Sequence, residues 1–457
     1  MKKISSWLSY LFVMVTAVCM IAIPSGCADE ENFFLEESAA RNIGTSNNRT
    51  PQDAQALAAD AFRTFIDSTY VESRSGSIID YSKPVVILRN PLSRSSESND
   101  TLIYIVNYAD DAGYAIIAAP KKVEPVLAVV HEGSFNEDLN DPSAHSPGFL
   151  MWLDNTMSII GGGDLIDSIP NDDDLHAEPI PDLAQVKEYN ETISCVDIKP
   201  LVRNSWGQGV PGIGLESLYP EGLYCDNGIC GCVPLALAEI GIAFHRPNTI
   251  IDLEANTSIN LNWAEISKHQ HWRAYSTYMW QDRSWADCCE NNVTTTHKQI
   301  AKLCHYIAEE AHATYYPKTD LELPHTGVTK DNTLKEAKKL FGSNYVSLNW
   351  KEFKQNVMPN NHSILLFVGD GKDNNGKDIH HAWICDGVYR VRYYHVLETK
   401  SNLSSQWTVT RTGPVDLTRL HFNWGWNGTD NGWFWHTPIN LSKSTYNKFE
   451  YIVVSHS

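Results

Sequence analysis

Positive charge is scarce in this 457-residue chain. It has 36 lysines and arginines against 55 aspartates and glutamates, a formal net charge of −19. Wrapping nucleic acid or adhering to an anionic membrane needs a basic surface, so neither is expected as a partner. Long apolar runs are lacking as well. The stretch from Leu11 to Ile23 falls short of the roughly 20 residues that a helix needs to cross a bilayer. A metal-binding cysteine spacing is also missing. Cys225-x4-Cys230-x-Cys232 is not a zinc pattern, and no metal or other cofactor is expected. What remains is a chain with 42 % apolar residues, long enough for two or three soluble domains.

The N-terminus reads as a targeting segment. Lys2 and Lys3 precede the apolar stretch, and Pro24-Ser25-Gly26-Cys27 follows it. Small residues before a cysteine resemble a bacterial lipobox, although Pro24 stands where Leu is preferred. Residues 1–27 are therefore expected to be a lipoprotein signal, with Cys27 lipidated; ordinary secretion is the alternative. Ala28-Asp29-Glu30-Glu31 resembles the export tag of surface lipoproteins of Bacteroidetes. The expected location is the cell envelope of a Gram-negative bacterium, at the outer membrane or cell surface. Contact with the membrane would then be through the lipid alone.

A polar tether is expected over 28–48 and a small α+β domain over 49–160. Thr50-Pro51-Gln52-Asp53 reads as a helix cap with Pro at the first helical position, and Leu57, Ala61, Phe62, Phe65 and Ile66 form one apolar face. Strands are expected at Val85–Leu88, at Leu102–Tyr108 hairpinned to Tyr114–Ala119, and at Val126–Val130, with a short helix opening at Ser146-Pro147. No catalytic constellation appears in this domain. Residues 161–188, rich in Gly, Pro and Asp, read as an exposed, cleavable linker. The second domain, 189–457, is expected to place helices at Cys232–Phe244 and His297–Ala311 before strands at Ser363–Val368, Ala382–Cys385 and Leu420–Trp426, with turns at Asp370–Asp378 and Thr429–Gly432.

Cys232 is the most informative residue. A thiol at the start of an apolar helix faces unpaired N–H groups that favour the thiolate, so a depressed pKa is expected. A cysteine nucleophile also needs a base, a group orienting that base, and an oxyanion donor. His380-His381-Ala382 offers the base, Asn423 beside Trp424 and Trp426 the orienting group, and Gln208 in Trp206-Gly207-Gln208 an amide donor. Successive residues of a strand point to opposite faces, so only one of the paired histidines can face the thiol.

These segments, in this order, resemble the streptopain-like cysteine peptidase family, whose members carry W-N-Q, G-C-V, G-H-A and N-W-G-W motifs. Here they read Trp206-Gly207-Gln208, Gly231-Cys232-Val233, His380-His381-Ala382 and Asn423-Trp424-Gly425-Trp426. The resemblance runs from about residue 50 to the C-terminus, and the first domain resembles the family's inhibitory propeptide. It implies a papain-like α+β fold with Cys232 as nucleophile and His381 as general base and acid. Gln208 and the Cys232 N–H would form the oxyanion hole, and Asn423 and Trp424 would orient and shield His381. Gly207 replaces the family's Asn, Glu239 a Gln, and His380 the Gly before the catalytic His. The implied partners are protein or peptide substrates and the chain's own propeptide, acting as an intramolecular inhibitor. The alternatives are another papain-fold acyl transferase, a cell-wall amidase, and a non-catalytic surface-binding lipoprotein.

Overall fold

The computed structural model describes residues 47–66, 77–89, 101–139, 144–162, 183–208, 230–253, 255–268, 295–316, 325–352, 359–372, 378–401, 406–436 and 448–455. Cys27 and most of the expected tether and linker lie outside them.

Thr50 caps helix α1 (Pro51–Phe65). Its hydroxyl accepts the Asp53 N–H at 3.2 Å, and the Asp53 carboxylate accepts the Thr50 N–H at 2.8 Å. This reciprocal pair satisfies backbone donors that a helix start leaves over. Ala54, Ala58, Ala61 and Phe62 share the buried face. Strands β1 (Val86–Arg89), β2 (Thr101–Asn107), β3 (Tyr114–Ala118) and β4 (Val126–Val130) form an antiparallel meander. Every residue of β2, β3 and β4 is buried, because both faces of the sheet are covered. Val106, Ala115, Ile117 and Val129 pack with α1. Ile105, Ile116, Ala128 and Val130 pack with α2 (Pro147–Gly162), which is longer than the short helix expected.

The second half begins with β5 (Leu183–Ile198), so the last residues of the expected linker are strand. There follow α3 (Cys232–Phe244), hairpin β6 (Thr249–Asp252) and β7 (Thr257–Asn260), α4 (Trp263–Ile266) and α5 (Thr295–Glu310). Hairpin β8 (Thr314–Tyr316) and β9 (His325–Gly327) and helix α6 (Lys330–Phe341) come next. The chain closes with β10 (Lys351–Glu352), β11 (Ser363–Lys372), β12 (Asp378–Ser401), β13 (Thr408–Asn423), β14 (Gly432–Trp435) and β15 (Lys448–Ser455). Strand β12 extends well past the segment expected at both ends, and β13 begins twelve residues earlier than expected but ends at Asn423, before Trp426. In the β12 extension Val388, Val391 and Val396 are buried, and the strand lies between β5 and β13.

One eleven-stranded sheet runs through both halves, in the order β1-β2-β3-β4-β14-β13-β12-β11-β15-β10, with β5 on the outer part of β12. The joint is β4 against β14, with Val129 opposite Trp433 and Ala128 opposite Phe434. Alternation along β11 and β12 sorts the core into two layers. Ile364, Leu366, Ala382 and Ile384 pack with α3, α5 and α6, whereas Leu365, Phe367, Trp383 and Cys385 pack with α2. The fold thus mixes helices with one antiparallel sheet, and a helix of the first half covers one face of the second half's strands.

Candidate active site

Gly231 turns the chain into α3 with φ 87°, and a Cβ there would fall 1.6 Å from the Thr326 hydroxyl of β9. Only glycine permits both the positive φ and the close approach. Cys232 is the first residue of α3, a helix buried almost all round. The thiol is half-buried beneath β12. Burial pushes it above the ordinary thiol value, and hydrogen bonds from the N–H groups of Ala382, Cys232 and Val233 offset this only in part. The expected depression is therefore reversed: the helix-terminal donors are present, but desolvation outweighs them. Cys230, Cys232, Cys304 and Cys385 are thiols, while Cys195 is disulfide-bonded. Gln208 lies alongside, its carbonyl accepting the Cys230 N–H at 2.9 Å.

His381 is buried, with Trp383 stacked at 6.0 Å and Trp426 edge-on at 5.7 Å. Its Nε2 lies 2.7 Å from the Trp424 carbonyl oxygen. A carbonyl only accepts, so Nε2 bears the proton and Nδ1 keeps its lone pair. Burial lowers its pKa to about 4, against the pull of that carbonyl. No hydrogen bond joins it to Cys232 among the described residues; the link is that Ala382, its chain neighbour, holds the thiol.

Asn423 does not hold the imidazole. Its Nδ2 donates to the Asn204 carbonyl at 2.7 Å and to Glu239 Oε1 at 3.1 Å, and its Oδ1 accepts from the Gly425 N–H at 3.1 Å and Asn431 Nδ2 at 2.9 Å. All four positions of the amide are taken, which leaves the orienting contact to the Trp424 backbone. The Trp424 indole packs between Trp383 and Phe434 and donates to the Asp430 carbonyl at 2.9 Å. His380 is exposed, its Nδ1 2.8 Å from Asp370 Oδ1, while Lys330 bonds the other oxygen at 2.8 Å. Burial raises the Asp370 pKa, but Lys330 and His380 outweigh it and hold the carboxyl below its usual range. Among the described residues no three His, Cys, Asp or Glu side chains gather as for a metal ion.

The first half of the chain presses on this site. Gly148 of α2 sits so close that a Cβ would lie 2.6 Å from the Trp424 ring and 3.1 Å from His381. Asp430 accepts from Tyr114 at 2.5 Å, His145 Nδ1 at 3.0 Å and the Ser146 N–H at 3.1 Å. Arg419 donates to Glu124 at 2.5 Å and to the Val126 carbonyl at 2.9 Å. Sequence reasoning read Asp430 only as part of a turn and gave Asp386 no role. Asp386 accepts from His421 Nδ1 at 2.6 Å and from the Val202 N–H at 2.7 Å. Its signal was a carboxylate directly after the apolar Trp383-Ile384-Cys385, where burial without partners is costly.

A thiol stands at a helix start, an imidazole lies one residue from the group that holds it, and a helix of the first half closes on that imidazole. The chain belongs to the Peptidase C10 family, which matches residues 206–434. Residues 46–160 match the Spi protease inhibitor family. A similar curated protein is the thiol protease/hemagglutinin PrtT of Porphyromonas gingivalis, 22% identical over 367 residues. The match takes in 76% of this chain but only 35% of that relative, so the chain spans about a third of the curated relative's length. Among solved structures, the interpain A cysteine protease of Prevotella intermedia matches with a TM-score of 0.33 and 16% identity, over 56% of this chain and 94% of that one.

Proposed function

We propose that this chain is the secreted zymogen of a cysteine endopeptidase with a papain-like catalytic domain, in which Cys232 and His381 form the catalytic pair. The observation that carries the reading is the Cys232 thiol, set at the start of α3 and bonded by the N–H of the residue after His381, in a chain whose two halves match a peptidase family and an inhibitor family. Nδ1 of His381 takes the thiol proton and the sulfur attacks the substrate carbonyl. The Gln208 amide and the Cys232 N–H receive the oxyanion. The intermediate collapses to a thioester as His381 protonates the departing amine, and water then hydrolyses the thioester with His381 as base.

Latency follows from the same groups. With α2 docked against His381, burial holds the imidazole pKa down, while burial within the second half holds the thiol pKa up, which keeps the proton on sulfur. Cutting between 163 and 182 frees the first domain while leaving β5 intact. Attachment through Cys27 to the envelope completes the proposal, and Cys27→Ala should release the protein from membranes. The principal test is labelling of the cut chain with an irreversible epoxide inhibitor of cysteine peptidases, followed by mapping of the modified residue. Label on Cys232, lost together with protein hydrolysis in Cys232→Ala, is expected. Label on Cys225 or Cys230, or turnover surviving in Cys232→Ala, sinks the mechanism. Cleavage of a peptidoglycan fragment but not of protein would point to an amidase.

A further inference from the structure

Glu239 takes no part in the chemistry above, yet it is a carboxyl with 0 % exposure in the helix that delivers the nucleophile. It lies seven residues after Cys232, two helical turns further along the same face. Its Oε1 accepts the Asn423 amide at 3.1 Å, and the Trp206 N–H bonds to it as well. Its Oε2 is buried with no hydrogen-bond partner among the described residues. Burial, reinforced by the nearby Asp386 carboxylate, drives its pKa well above the usual range, which favours the protonated form.

Asn423 is the other end of this contact, and it also donates to the Asn204 carbonyl at 2.7 Å. The next residue, Trp424, bonds the His381 Nε2–H through its carbonyl. Its own N–H is fixed by Asn431 Oδ1 at 2.9 Å, and Asn431 in turn donates to Asn423. Glu239 therefore meets three segments at one point: the nucleophile's helix, the Asn204–Gln208 stretch that brings the oxyanion donor, and the strand end that holds the imidazole.

We propose that Glu239 is a positioning residue, which sets the placement of the Trp424 carbonyl, and hence of His381, relative to the helix bearing Cys232. This rests on the reading of Cys232 and His381 as the catalytic pair. A carboxyl biased toward its neutral form suits the task. It accepts the Asn423 amide without bringing a buried charge beside Asp386, and Gln is its neutral isostere.

The test uses the full chain with Glu239→Gln and Glu239→Leu, each opened by an added serine peptidase so that self-processing is not required. Active centres are counted by epoxide titration, and kcat and KM are measured against pH. Per titrated centre, Glu239→Leu should lose about 10- to 100-fold in kcat with KM changed less than about threefold, since a misplacement of about 1 Å costs on that order. The alkaline limb of kcat/KM should move down by about half to one pH unit, as the imidazolium loses the acceptor that stabilises it. Glu239→Gln should stay within about threefold, with the limb in place. A merely structural role would lower the number of active centres and leave the pH profile of the remainder unmoved, and that result overturns the proposal. So does a Gln variant as impaired per centre as the Leu variant. Should the Leu variant fail to fold, Glu239→Asp, which withdraws the acceptor by one methylene, must show the loss and the shift; wild-type values there refute the idea. Absence of label on wild-type Cys232 overturns the peptidase reading and this one together, whereas label with unaffected variants overturns this one alone.

Discussion

Asp430→Ala is the sharpest perturbation of the joint between the two halves. The carboxylate is 1% exposed and sits in the second half, while its three side-chain-directed donors, Tyr114, His145 and the Ser146 N–H, all come from the first. His145 is fixed at its far nitrogen too, 2.8 Å from the Asn136 carbonyl. Facing acceptors on both nitrogens, the ring satisfies both only as imidazolium, so Asp430 anchors a buried ion pair. Truncation leaves three buried donors without this acceptor. A single orphaned donor costs about 1–3 kcal/mol, and breaking a buried ion pair about 3–5 kcal/mol. In the undocked arrangement water solvates all of these groups, so the cost falls on the docked state. Taking about 3 kcal/mol for the whole, docking weakens by roughly 150-fold. The linker offsets part of this through an effective concentration on the order of millimolar. The assay is hydrolysis of a fluorogenic protein substrate by the uncut chain, alongside co-elution of the two halves after cutting. Asp430→Ala should raise the activity of the uncut chain and separate the cut halves, with Asp430→Asn intermediate because it keeps an acceptor oxygen. If the uncut Asp430→Ala chain is as silent as wild type and its halves co-elute equally well, the joint is not what enforces latency.

Three further outcomes are expected. His381→Ala should abolish hydrolysis whereas His380→Gly should retain it; the reverse would make the exposed His380–Asp370 pair the base. In the uncut chain, alkylation of Cys232 by iodoacetamide should reach half its limiting rate above the pH typical of a free thiol, because burial raises this group, and a midpoint below that value would contradict the burial argument. Acid should destabilise the uncut chain: His381 and His436 are both lowered to about 4 by burial, against about 6.5 when unfolded. Below 6.5 the unfolded chain binds more protons, so their contribution is complete above that pH and is lost as pH falls toward 4. At pH 4.5 His381 alone should remove about 2 kcal/mol, seen as a lower urea midpoint than at pH 7, and a flat profile would refute it.

The elements that announced themselves in the sequence were those whose signals are local. Thr50-Pro51-Gln52-Asp53 carries its cap within four residues, and β2, β3 and β4 are mostly apolar and buried throughout because both faces are covered. The start of α3 at Cys232 was legible from the glycine before it and the apolar run after it. Less legible was anything set by distant partners. Strand β12 continues to Ser401 through Arg390, Arg392 and Glu398 because β5 and β13 flank it, and nothing local in those polar residues says so. At the site, the residue types were readable but the bonds were not. Asn423 was expected to meet the imidazole and instead spends its four hydrogen bonds on Asn204, Glu239, Gly425 and Asn431. A backbone carbonyl, which has no residue-specific signature, takes its place.

The two halves also constrain each other's choice of residue, which bears on what kind of inhibitor the first domain is. Gly148 of α2 leaves room for the Trp424 ring and His381. Reciprocally, Gly432 of β14 faces the backbone of β4, where a Cβ would fall 2.1 Å from the Val129 carbonyl oxygen. A side chain at either point forces the halves apart, since close-packed interiors do not absorb an added group without strain. The fit is therefore built from both sides. On the first side it supplies a strand that completes the second half's sheet and a helix that covers its Trp383 face. Removing the first domain would uncover that face and leave the β14 edge unpaired, an arrangement prone to pairing with other strands. Under the zymogen reading, the released domain is then the natural occupant of its own vacated surface. Its inhibition in trans should depend on the same Gly148, Asp430 and Gly432 contacts as latency in cis, and should weaken by the factor that the linker's effective concentration supplies.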